Sequence, residues 1–226
     1  MASAHTPKEG NRPDDQFVFI DQSQPPARLA IFPLPNVLLF PNRVLPLHIF
    51  EDRYKRMVSD CLQGDRLLGL FLLQRGWDAE GAVPTPYEVG GMGQITRAVK
   101  YPNGSMDILL SGLARVQVQR YIQEKPYLIA EVEMWPEESE DSEGLEALTR
   151  RMVGSFERFV IAKAGEGNEL LTGLKLLASP VDLLHYIVTH MPLDVHQKQE
   201  IMNLRPIDER ITMMITLLNR ERSAPR

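Results

Sequence analysis

The sequence predicts an α+β protein: a mainly β first half that curves around one inserted helix, followed by a helical bundle. Three observations predict this. Apolar triplets are interrupted by prolines at 33, 35, 41 and 46, the hydrophobic period changes from about two to about 3.6 residues along the chain, and an acidic stretch separates the two regimes. The parts expected are a mobile N-terminal arm over 1–28, a β-rich part with one helix over 29–134, an acidic linker over 135–143, and a helical subdomain over 144–222.

The arm is rich in Pro, Gln, Asp and small residues, with one apolar run, Phe17 to Ile20. Strands are expected at 29–34, 37–40, 44–50, 67–73, 87–100, 106–120 and 127–133, where aliphatic or β-branched runs lie between turn residues. Proline cannot donate to a sheet ladder, so the proline-bearing segments are expected at edges or corners. Asn103-Gly104 suits a tight hairpin turn, and Gly90, Gly91 and Gly93 inside a strand pattern suggest a bulge or a close backbone crossing. The inserted helix follows from Tyr54, Met57, Val58, Cys61 and Leu62 on one face, with Gly64 ending it. Burying those five side chains contributes about 10 kcal/mol gross, and it places Cys61 in the core.

In the second half, Leu145, Leu148, Met152, Phe156, Phe159 and Val160 mark a long helix ending near Ala164-Gly165. A second helix is expected over 168–177. Ser179-Pro180-Val181-Asp182 opens a third that Met191-Pro192 stops, Asp194 with Gln197 caps a fourth, and the last starts around Pro206. The acids Glu137, Glu138, Glu140 and Asp141 read as the solvated face of a linker.

Composition excludes several classes. A chain of 226 residues, 43% hydrophobic and 24% charged, with net charge −5, is ordinary for a soluble globular protein and repels a phosphate backbone unless basic residues cluster. One cysteine allows no internal disulfide, no apolar leader opens the chain, and no run of about 18 apolar residues occurs. A cytoplasmic location is therefore expected. No phosphate-binding G-x-x-x-x-G-K-[ST] loop is present. His185 and His190 lie about 140° apart around a helix and His196 is beyond Pro192, so neither metal spacing nor a nucleophilic triad with Ser179 and Asp182 emerges. These histidines are expected at the surface or at helix ends. No cofactor, metal or catalytic residue is expected.

Four blocks resemble a known family. Pro33-Leu34, Phe40-Pro41, Leu45-Pro46-Leu47, Ile49-Phe50-Glu51 and Arg53-Tyr54 form the first, and Val89 to Ile95 the second. Tyr101 to Ser105 with Leu110 to Val116 form the third. Asp182-Leu183, His190 to Leu193, Lys198-Gln199 and Asp208 to Arg210 form the fourth. In order and spacing they resemble the substrate-binding N-terminal domain of Lon proteases, a domain that also occurs free-standing. The resemblance implies a PUA-like β pseudo-barrel followed by a helical bundle. It also implies a non-catalytic role in binding proteins or exposed peptide segments, in company with a protease or chaperone, as an adaptor in protein quality control. Lon continues into ATPase and protease modules, whereas this sequence stops at Arg226.

The expected peptide contact is a groove between barrel and helices or a patch beside the proline-rich segment, with Arg43, His48, Glu51 and Arg53 as its polar members. The alternative is RNA binding by a stripe of Arg97, Lys100, Arg115 and Arg120 with Tyr101 and Tyr121 nearby. That alternative rests on the analogy with PUA folds that bind RNA.

Overall fold

A computed structural model of the protein describes residues 26–81, 83–138, 143–165 and 168–223. The expectations for the run at Phe17 to Ile20, nearly all of the arm, and Glu140 and Asp141 lie outside the described residues. Six strands and one helix form the first part: β1 (Leu29–Leu34), β2 (Val44–Ile49), α1 (Asp52–Gln63), β3 (Leu67–Leu72), β4 (Val89–Lys100), β5 (Met106–Gln123) and β6 (Leu128–Met134). Five helices follow: α2 (Glu143–Ala164), α3 (Glu169–Leu174), α4 (Pro180–His190), α5 (Val195–Asn203) and α6 (Ile207–Ser223). The β-rich first half and helical second half are those the hydrophobic periods predicted.

The sheet order is β2-β5-β4-β3-β1-β6, and β6 also pairs with β5, which closes a barrel. Closure depends on the 18 residues of β5. Its first third pairs with β2 and its last third with β6, while β4 runs along its opposite edge. Register shifts at Met92/Gly93, Ile95/Arg97, Val118/Arg120 and Tyr121/Gln123 bend the two long strands enough to curl. β1 and β3 are parallel, with β2 and α1 as the crossover between them.

Two strand expectations are corrected. β1 is interior rather than an edge, flanked by β3 and β6. Pro33 is tolerated because β6 pairs only with residues 29–31, so its missing N–H faces no partner there. Residues 37–40 form no strand. They cross over the barrel, with Leu39 entering its core and Phe40 the core of the helices. Glycine makes this crossing possible, since a Cβ on Gly91 would sit 2.0 Å from the Leu39 carbonyl oxygen and one on Gly112 2.2 Å from that of Phe40. Asn42 turns the chain with φ +59°, a conformation Asn tolerates, and its amide donates to Asp182 Oδ1 at 2.7 Å, tying the turn to α4.

Helix α1 buries Tyr54, Met57, Val58 and Cys61, and burial pushes the Cys61 thiol up to about 12, so it is inert at neutral pH. Among the later helices, α3 is shorter than expected: beyond Leu174 the bonds tighten to i→i+3, from Leu176 to Gly173 and from Leu177 to Leu174. Ser179 caps α4 by accepting from Asp182 N, and Asp194 with Gln197 forms the capping box of α5.

A charged seam joins the helices to the barrel. Helix α5 ends without a glycine cap, and its final carbonyls are satisfied from elsewhere. Arg210 Nε donates to Ile201 O at 3.0 Å, Arg115 Nη1 to Met202 O at 2.7 Å and Leu204 O at 2.6 Å, and Trp135 Nε1 to Asn203 O at 3.0 Å. The two guanidiniums also complement the negative end of the helix dipole. Glu137 is their counter-ion, 2.8 Å from Arg210 Nη1 and 3.3 Å from Arg115 Nε. Two expectations fall here. Arg115 faces the helices, fully buried, because the α5 terminus demands a donor. Glu137 is a partly buried ion-pair partner rather than a solvated linker acid, whereas Glu138 stays exposed and pairs with Arg205 at 3.0 Å.

His185 is likewise buried in this seam rather than at the surface. Arg210 Nη2 donates to its Nε2 at 2.9 Å, so the imidazole is neutral and its Nδ1 carries the proton. That Nδ1 faces Pro41 without reaching hydrogen-bond geometry. Burial, then the charges of Arg210, Arg115 and Arg43, hold the His185 pKa well below the ordinary value. His190 accepts the expected helix-end role, with Nδ1 2.8 Å from the Tyr186 carbonyl, and His196 meets the Tyr87 hydroxyl at 3.2 Å.

Candidate functional site: the outer face of β2, β5 and β4

Strand alternation builds this face. In β2 the side chains at 44, 46 and 48 point outward while those at 45, 47 and 49 turn inward. The register sets Pro46 beside Leu109 and Arg97 in one row, and His48 beside Asp107 and Val99 in the next. The result is a shallow concavity of about 560 Å³, with Tyr101 at one end. Apolar groups around it are unusually open: Phe50 is 66% exposed, Val44 61%, Val99 40% and Tyr101 40%.

A small polar cluster borders it. Asp107 accepts from the Tyr101 hydroxyl and from His48 Nδ1 at 2.6 Å, and the two rings lie 6.3 Å apart. Since a carboxylate only accepts, Nδ1 of His48 carries the proton. The Tyr101 bond first, and the His48 bond second, hold the Asp107 carboxyl below the usual range, and the same Asp107 contact raises the Tyr101 phenol. A His–Asp pair orients a base in nucleophilic catalysis. Here no serine or cysteine lines the concavity, and the thiol of Cys61 is buried in the barrel core. The arrangement offers apolar contact and fixed donors.

β2 is also the end of the sheet order, paired with β5 alone. The Arg43 carbonyl accepts from Gly112 N at 2.8 Å, so by antiparallel alternation Leu45, Leu47 and Ile49 bond to β5, while the backbone groups of Val44, Pro46 and His48 point away. Pro46 therefore costs the ladder nothing and removes one donor from the open edge.

The structure scatters the expected polar members. Of Arg43, His48, Glu51 and Arg53, only His48 lines the concavity. Glu51 and Arg53 pair with each other at 2.9 Å beside Phe50, and the Arg53 guanidinium lies 4.4 Å from the Tyr54 ring centre. Arg43 turns to the helices, 5.3 Å from the Tyr186 ring centre; partial burial lowers its pKa and Asp182 opposes the shift. Of the basic stripe, Arg97 lines the concavity and Lys100 is exposed nearby on β4. Arg120 is held in a two-pronged pair with Glu131, and Arg115 is buried, so the four do not form one surface. Sequence reasoning missed Val44, Phe50, Val99 and Asp107. Their outward alternation along β2 and its continuation to Phe50, along β4 and at the start of β5 was the available signal, but which face meets solvent is decided by closure of the barrel.

Among the described residues, no helix is long and apolar enough to cross a membrane, and no three His, Cys, Asp or Glu side chains could hold a metal ion. Residues 28–220 match the family model for the ATP-dependent protease La (LON) substrate-binding domain. The chain is 32% identical over 180 residues to Lon protease 2 of Syntrophobacter fumaroxidans, covering 79% of this chain and 22% of that protein. It is 28% identical over 194 residues to Lon protease of Brevibacillus choshinensis, covering 86% and 25%. The chain thus spans about a quarter of the length of these curated relatives.

Among solved structures, the N-terminal domain of Mycobacterium avium complex Lon protease superposes with a TM-score of 0.69 at 16% identity, covering 85% of this chain and 98% of that one. The Lon N-terminal domain protein from Xanthomonas campestris gives 0.60 at 22% identity, covering 84% and 97%. With the closed barrel, the helical half and nearly the whole length matched, this chain belongs to the Lon protease substrate-binding domain family.

Proposed function

We propose that this chain is a non-catalytic module that holds extended segments of unfolded proteins, acting as an adaptor for a protease or chaperone in protein quality control. One observation carries the reading: the exposed apolar side chains of Val99 and Tyr101 line a concavity beside an open strand edge, with exposed Val44 and Phe50 flanking it along the β2 segment. An extended segment lying along β2 would meet the outward backbone groups of Val44 and His48, with alternate side chains entering the concavity. Membership of a substrate-binding family supports the same reading. His48 and Arg97 would supply hydrogen bonds at the rim. Arg43, Glu51 and Arg53 act indirectly in this picture, the last two by fixing the start of α1 next to Phe50.

The test is fluorescence anisotropy with a labelled, permanently unfolded polypeptide, comparing the protein with a Phe50→Ser/Val99→Ser double variant. Loss of two partly exposed apolar contacts should weaken binding about tenfold or more, with little dependence on salt. Equal affinity for both proteins would remove this face from the reading. Binding of RNA that falls steeply with salt and depends on Arg97 and Lys100 would favour the nucleic-acid alternative instead.

A further inference from the structure

We propose that the cleft between α2 and α6 binds a compact phosphate-class oxyanion, on a surface remote in sequence from β2, β4 and β5. The cleft is open to solvent and has a volume of about 600 Å³, within the ordinary range for small-molecule sites. Arg150, Arg151 and Arg158 line it from α2, joined by Ser155, with Ile215 and Asn219 from α6. Helical spacing accounts for the convergence: 151, 155 and 158 share one face, and 150, 154 and 158 follow one i, i+4 row.

Charge favours an anion. The protein as a whole carries −5, yet three guanidiniums meet here. Among the described residues Arg151 and Arg158 have no carboxylate within ion-pair distance. Arg150 has one, Glu146 at 2.8 Å, with side chains 67% and 77% exposed, so a bound anion competes with it easily. The cleft is shaped as well as charged. Gly154 leaves its floor open, and a Cβ there would sit 3.3 Å from Arg158 Nη1. The Arg158 guanidinium crosses that space and donates to the buried Ser155 hydroxyl at 3.1 Å, which orients the fork. Ser155 accepts in that bond, so its own proton remains available to an oxyanion. Forked guanidiniums match the oxygens of phosphate two at a time, which a lysine cluster would not. Ile215 supplies an apolar wall on which the carbon skeleton of a phosphorylated metabolite can rest.

Titration calorimetry on the full chain, at constant ionic strength balanced with chloride, tests this with two probes, inorganic pyrophosphate and glucose 6-phosphate. Saturable binding of one of them in the submillimolar range is expected. Arg151→Gln/Arg158→Gln should weaken it at least tenfold, while Arg56→Gln, an exposed arginine on α1, should leave it unchanged. Arg151→Lys/Arg158→Lys should fall between, because charge is kept and the fork is lost. Tighter binding of pyrophosphate assigns the site to a free diphosphate, and tighter binding of the sugar phosphate assigns it to a phosphate on an organic body. Absence of saturable binding by both probes, or equal loss in the Arg56 variant, would overturn the proposal. Neither result bears on polypeptide binding at β2, which is read separately by anisotropy.

Discussion

Replacing Arg115 by alanine should uncouple the helices from the barrel. Its Nη1 donates to the Met202 and Leu204 carbonyls at 2.7 and 2.6 Å, and its Nε lies 3.3 Å from Glu137. Burial pushes its pKa down to about 9, which leaves it charged at neutral pH. Each charge-assisted bond is worth about 1.5–3 kcal/mol, and removing one member of a buried charged group costs about 3–5 kcal/mol, because its partners stay buried and unpaired. The two estimates agree on about 3–5 kcal/mol for Arg115→Ala. Arg115→Lys keeps the charge but offers no fork to span two carbonyls, so a loss of about half that size is expected. Urea unfolding followed by tryptophan fluorescence measures it, since Trp135 sits in the seam on the neighbouring Asn203 carbonyl. A loss below about 1 kcal/mol for Arg115→Ala, with an unchanged urea slope, would refute the reasoning that this arginine caps α5.

Two further outcomes follow from the same structure. Gly91→Ala should cost at least about 3 kcal/mol, because its Cβ meets the Leu39 backbone oxygen and a crossing chain cannot swing aside as a side chain can; Gly64→Ala, with nothing nearer than 3.8 Å, should be close to neutral by thermal unfolding. His185 resists protonation in the folded state, facing Arg210, Arg115 and Arg43 with Glu137 3.6 Å away, while in the unfolded chain it accepts a proton below about pH 6.5. Stability should therefore fall as pH drops below about 6.5, and His185→Gln should flatten that limb in denaturant titrations at stepped pH.

Much of the fold was legible because it depends on local chemistry. The period-3.6 stripe of α1, the Ser179-Pro180 start of α4, the Asp194–Gln197 box of α5 and the strand runs of β3 to β6 are each written in a few consecutive residues. The glycine cluster in β4 announced a close crossing for the same reason, since only glycine admits one. The site was less legible. His48 was singled out as a polar residue in a motif, but Phe50, Val44 and Val99 carry the exposed face, and nothing in a hydrophobic residue states that it faces water.

The errors share a physical cause. Residues 37–40 read as a strand because Val-Leu-Leu-Phe suits one, but the chain there is claimed by two different cores. Arg115, Glu137 and His185 read as surface groups because charge and imidazole ordinarily prefer water. Their burial depends on one another, across 22, 48 and 70 residues of sequence, and on the uncapped end of α5. Apart from the 37–40 crossing, the sequence by itself determined the order and kind of the elements, because propensity, capping and turn chemistry act over a few residues. Only the tertiary structure decided which strand edge stays open and which charges are buried, because both depend on closure of the barrel and the docking of the helices against it.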